Sequence, residues 1–278
     1  MSDNWIVQNI ENALNTWSDY LDIVWTLLTT SPQDFRGGGI WSVILTIHGS
    51  IQAIALALLV LFFLVGVVKT CGSFAELKRP EVAVKLFVRF IIAKALITYG
   101  LNLMLALFTI VQGVITTIMR SSGVMAAAGM SMPAAMAKEI EGLGFLESIP
   151  LWAVSLIICL VIWALSLIVL LTVYGRFFKI YIFTAIAPIP LSTFAGEPTQ
   201  SVGASFLRSY CAVLLEGAVI ILACVIFSLF SASPPAVDST APAVTQVWSY
   251  FGELILSMLI LVGTVKMADR VIKEMMGL

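Results

Sequence analysis

Long apolar runs at about 40–68, 90–118, 149–173, 210–230 and 247–267 restrict this chain more than any other feature. Each meets or exceeds the roughly 20 residues that an α-helix needs to cross the hydrocarbon core of a bilayer. Composition agrees: 60% of residues are apolar and 11% charged, whereas a soluble domain carries about 25% charged residues to wet its surface. The expected fold class is therefore all-α, a polytopic membrane protein with about five transmembrane helices in one domain over 40–278.

Residues 1–39 differ. Ile6, Ile10, Leu14, Trp17, Leu21, Val24 and Leu28 recur at steps of three and four, with Glu11, Asp19 and Asp22 between them. That spacing predicts an amphipathic helix, broken at Ser31-Pro32 and at Gly37-Gly38-Gly39. It is expected to lie in the outer membrane interface at a depth suited to Trp5, Trp17 and Trp25, with packing on protein as the other option. The segment has one base, Arg36, and lacks the basic start and short apolar core of a cleaved signal.

Segment 180–195, IYIFTAIAPIPLSTFA, is too short to span and carries Pro188 and Pro190. Each proline removes a backbone donor and obstructs a helical turn, leaving the carbonyls of Thr184 and Ile186 without their usual partners four residues on. Such groups at membrane depth must find a neighbouring subunit, an internal partner such as Ser192 or Thr193, or lumen water. Charge suggests how the segment runs. Lys69, Lys78, Arg79, Lys85, Arg89, Lys94, Arg176, Lys179, Arg208, Lys266, Arg270 and Lys273 all fall on one side if 180–195 is a re-entrant hairpin. The positive-inside rule then predicts an outside N-terminus, a cytoplasmic C-terminus and an outer loop at 119–148. Within that loop, Ser131 and Pro133 are expected to start a short helix over Ala134 to Ile140.

Catalytic patterns are lacking: there is no GxxxxGK[ST], HExxH, GxSxG or EF-hand loop, and His48 is the one histidine. We expect no enzyme, catalytic residue, metal site or cofactor. Cys159, Cys211 and Cys224 lie in apolar runs and, with Cys71, show no CxxC spacing, as expected of buried packing residues. The remaining candidates are polar groups within the spans. Glu216 is expected to pair with Lys94 or face a lumen, while Arg89, Lys94 and Glu253 have the option of snorkelling to headgroups. His48 and Gln52, one turn apart, share a face suited to interhelical hydrogen bonds. Gly100 and Gly113 offer close helix approach within the fold or between subunits. Pro188 and Pro190, flanked by Arg176 and Lys179, mark the candidate pore region, where those bases could meet acidic lipid headgroups or a passing polyanion.

An outside amphipathic helix, five spans, a long outer loop after the second, and R-x-x-K at 176–179 leading into A-P-I-P at 187–190 resemble the TrbL-like family of conjugal transfer proteins, the polytopic inner-membrane subunits of type IV secretion systems. In particular the chain resembles the short forms carried by conjugative elements of Gram-positive bacteria. The resemblance implies a homo-oligomeric channel or scaffold in the cytoplasmic membrane, working with membrane lipids, a secretion ATPase and a coupling protein, and touching a DNA–relaxase substrate transiently or assisting fibre assembly. The alternative is a small-molecule or ion transporter with a broken-helix site, although the two halves show no convincing inverted repeat. A lysis or immunity protein is a third class, for which the chain is long.

Overall fold

The computed structural model describes residues 4–70, 80–122, 131–231 and 242–278. Lys78, Arg79, Cys71, residues 123–130 of the 119–148 segment and residues 232–241 lie outside them. The described residues form helices α1 (Trp5–Thr29), α2 (Gly39–Thr70), α3 (Pro80–Thr98), α4 (Gly100–Ser121), α5 (Ala134–Glu141), α6 (Phe145–Ile186), α7 (Pro188–Ser192), α8 (Gln200–Ser231) and α9 (Ala243–Met275), with no strand among them. Five stretches are long and apolar enough to cross a membrane: Phe35–Lys69, Gly100–Ser121, Ser148–Ile186, Gln200–Ser231 and Ala243–Met275. Ile157, Leu160, Leu171, Ile226 and Leu229 are each more than half exposed on these stretches, a surface suited to lipid rather than water. The protein is an all-α, multi-pass membrane protein.

Two differences from the sequence-based spans matter. The second run is divided at Tyr99: α3 carries Lys85, Arg89 and Lys94 and ends at Thr98, and the apolar α4 begins at Gly100. The third run continues through 180–186, because α6 is 42 residues long, roughly 60 Å against a hydrocarbon core of about 30 Å. The first half of the expected hairpin is thus the end of a long helix.

The chain forms two compact units. The first comprises Met1–Thr29, Ile115–Gly175 and Gly217–Ala268. Its α1 buries Ile6, Val7, Ile10, Leu14, Trp17, Leu21, Val24, Trp25 and Leu28. Trp17 meets the Phe227 ring edge-on at 5.9 Å, Trp5 stacks on Trp152 at 5.6 Å, and the Cys159 thiol donates to the Asn9 carbonyl. The stripe expected to enter the membrane interface is instead covered by the chain itself. The short helix α5 forms where Pro133 starts it, and Asn4 donates to its Ile140 carbonyl.

The second unit comprises Thr30–Val114, Arg176–Glu216 and Asp269–Leu278. It opens at the glycine triplet, where Arg36, Gly37 and Gly38 take φ of 48°, 73° and 77°, a left-handed conformation that glycine adopts without a Cβ penalty. Phe35 stacks on Phe177 at 4.2 Å, and the Tyr181 hydroxyl donates to the Pro32 carbonyl at 2.8 Å, so this turn is fixed on the end of α6. Helices α2 and α3 pack on α7 and on the turn Thr193–Ala195.

Candidate functional site

Ala187–Pro188 ends α6, α7 provides little more than one turn, and the chain passes through Thr193–Ala195 into α8. The break is enclosed: Thr184, Ala187, Pro188, Leu191, Ser192 and Ala195 are buried, and Pro190 is half-buried. Ile182, Ile186 and Ile189 remain exposed on the other side. Glycines allow this enclosure. A Cβ on Gly196 would stand 2.7 Å from the Phe62 carbonyl oxygen, and one on Gly66 3.0 Å from the Gly196 Cα. One on Gly203 would enter the Phe194 ring at 2.5 Å, and one on Gly100 would meet Leu191 Cδ1 at 2.7 Å. Backbone thus crosses backbone at near contact, as small residues permit between membrane helices.

One of the two backbone acceptors freed by the prolines, the Thr184 carbonyl, is served by a side chain. The acceptor at Thr184 is matched by His48 Nδ1 from α2, at 2.7 Å, rather than by Ser192 or Thr193. Those two hydroxyls donate to the carbonyls three residues before them, Ser192 to Ile189 at 2.6 Å and Thr193 to Pro190 at 2.7 Å. Thr199 donates to the Thr193 carbonyl at 2.7 Å. One turn along α2 from His48, Gln52 Nε2 donates to the Ile97 carbonyl at 3.1 Å, two residues before the α3–α4 interruption. The shared face inferred from the His48–Gln52 spacing therefore bonds to two neighbouring elements.

Beside the break lies a chain of charges. Lys179 Nζ stands 3.1 Å from Glu216 Oε2 and 2.9 Å from Asp269 Oδ1, and Lys273 reaches Asp269 Oδ2 at 2.8 Å. The Glu216 side chain is 3% exposed. Its partner is Lys179; Lys94 is exposed on α3. The expectation for Arg176 also needs correction. It is 1% exposed and donates from Nε to the Val213 carbonyl at 3.4 Å and from Nη2 to the Leu214 carbonyl at 3.2 Å. Its guanidinium is thereby turned into α8, away from any headgroup or polyanion. Arg89 does not snorkel freely, since it pairs with Glu197 at 3.2 Å.

The two candidate packing glycines have different places. Gly100 is committed to the contact with Leu191, whereas a Cβ on Gly113 would meet nothing within 4 Å. Sequence reasoning missed Asp269, Thr199, Gly66, Gly196 and Gly203. Asp269 had a usable signal, an acid four residues before Lys273 in a basic helix end. The glycines had none, because close approach is decided by which helices cross. The assembled geometry is a helix break held from α2, with the end of α6 tied to α8 through the buried Glu216 and to α9 through the half-exposed Asp269.

A family model described as TrbL/VirB6 plasmid conjugal transfer like protein matches residues 21–188, more than half of the chain. The matched stretch contains His48, Gln52, Arg176, Lys179 and Pro188 and stops before Glu216 and Asp269. No curated protein and no solved structure matches.

Proposed function

Because the chain belongs to the TrbL/VirB6 family of plasmid conjugal transfer-like proteins, and so to the membrane machinery of conjugal transfer, we propose that it is an oligomeric channel or scaffold subunit of a conjugative type IV secretion system. The observation that carries this reading is the enclosed proline break at the end of α6, whose freed Thr184 acceptor is met by His48. Irregular backbone at membrane depth persists only where protein or a wet cavity covers it, and such places mark transport routes. The subunit contributes no catalytic chemistry of its own; the driving energy comes from a secretion ATPase, with a coupling protein delivering a DNA–relaxase substrate. It sits in the cytoplasmic membrane with its N-terminus outside and C-terminus inside, a reading that the distribution of bases supports, and suits the single-membrane envelope of a Gram-positive donor.

The test replaces Pro188 and Pro190 together by Ala and measures conjugal transfer at matched membrane levels. Loss of transfer with normal insertion is expected; full transfer would remove the break from the route. Native mass measurement in mild detergent tests the oligomer, and a monomer under all conditions would count against a ring. A second reading, an ion or small-molecule transporter, is favoured by one observation: Lys179, Glu216 and Asp269 form an ion-pair chain beside a broken helix. Solute flux through proteoliposomes of the isolated protein would support that reading over the first.

A further inference from the structure

Two polar side chains on α2 are spent on carbonyls at places where neighbouring helices lose continuity. We propose that His48 and Gln52 are positioning residues of the transfer route, with α2 supplying the donors that hold both interruptions open. The inference rests on the reading of the proline break as part of that route. An α-helical carbonyl accepts from the N–H four residues on, and at Thr184 that residue is Pro188, which has none. Thr184 is 1% exposed, so no bulk water replaces the donor, and a buried acceptor left unpaired is costly. His48, itself 5% exposed, stands 2.7 Å from that oxygen. A carbonyl only accepts, so Nδ1 carries the proton.

Gln52, four residues later, donates to a carbonyl beside the second interruption, although there the residue four on, Leu101, keeps its N–H. Its donor must be Nε2, again because the Ile97 oxygen only accepts. Ile97 is fully buried, and the interruption at Tyr99 follows directly. Residues i and i+4 share one helix face, so a single face of α2 sets the break between α6 and α7 and the junction between α3 and α4. The requirement is for a donor at that point, not for a histidine, and it exists only while residue 188 lacks an N–H.

That dependence gives the test, made in the full-length protein. His48→Leu should lower the thermal midpoint in detergent and reduce conjugal transfer by at least about tenfold at matched membrane levels. His48→Asn, whose Nδ2 stands near the position of Nδ1, should recover most of both. In a Pro188→Ala background, read by midpoint alone, the new N–H serves Thr184 and His48→Leu should lower the midpoint no further. If His48→Leu does not accumulate, the Pro188→Ala double variant must accumulate. Additive midpoint losses, a degraded double variant, or Asn no better than Leu would each overturn the donor assignment. A coupled midpoint with unchanged transfer would overturn the positioning role alone, whereas full transfer in the Pro188→Ala, Pro190→Ala variant would overturn the placement of the route at the break.

Discussion

Lys179 is the residue on which the charge chain turns, so Lys179→Met gives the most direct measure of its strength. The substitution keeps most of the side-chain volume and removes the ammonium that contacts both Glu216 oxygens, at 3.3 and 3.1 Å, and Asp269 at 2.9 Å. Asp269 retains Lys273 and is 33% exposed, so water and a second base still serve it. Glu216 is 3% exposed and loses its one ion-pair partner among the described residues. Removing one member of a buried pair costs about 3–5 kcal/mol, because the remaining charge stays desolvated. The lower end applies, since the Lys179 head group is partly wet and the Arg176 guanidinium still acts on Glu216. A loss of about 3 kcal/mol corresponds to a fall of roughly 6–12 °C in the unfolding midpoint of a chain this size. Intrinsic tryptophan fluorescence in detergent would read it. Lys273→Met is the control: it breaks an exposed i,i+4 pair worth about 0.3–0.5 kcal/mol and should shift the midpoint by about 1–2 °C. Glu216→Gln added to Lys179→Met removes the orphaned charge and should recover more than half of the loss. A Lys179→Met shift no larger than that of Lys273→Met, or no recovery when Glu216→Gln is added, would refute the buried-pair argument.

Arg176→Lys should destabilise the protein by about 1–3 kcal/mol although charge is kept, because an ammonium cannot reproduce the planar fork onto the Val213 and Leu214 carbonyls; an unchanged midpoint would show that only charge matters there. Gly196→Ala, whose Cβ would lie 2.7 Å from the Phe62 oxygen, should destabilise by about 1–3 kcal/mol by the same assay. Gly100→Leu should fail to accumulate because Leu191 fills the space, whereas Gly113→Leu should accumulate normally and shift the native mass towards monomer. If the proposed topology holds, an impermeant thiol reagent applied outside should label a cysteine at Ser131 and spare one at Glu197; the reverse pattern would invert the topology.

The fold class was legible in the sequence because membrane physics acts along the chain. Burying backbone in lipid requires unbroken helices of a minimum length, and apolar runs report that length directly. The two prolines were equally informative: the missing donor at Pro188 identifies Thr184 as an acceptor in need of a partner from covalent chemistry alone. What serves that acceptor was not legible. His48 is 136 residues away, and the pairing depends on the rotation of α2 against α6. For the same reason Glu216 pairs with Lys179 rather than Lys94: burial made a basic partner necessary, but helix rotation and neighbour order chose which. The stripe on α1 likewise established that one face needs cover, while the choice between lipid headgroups and Phe227 with its neighbours belonged to packing. Arg176 shows the difference most sharply. In sequence it is one more base beside an apolar run; only the tertiary structure places it beside two α8 carbonyls, which its directional donors reach.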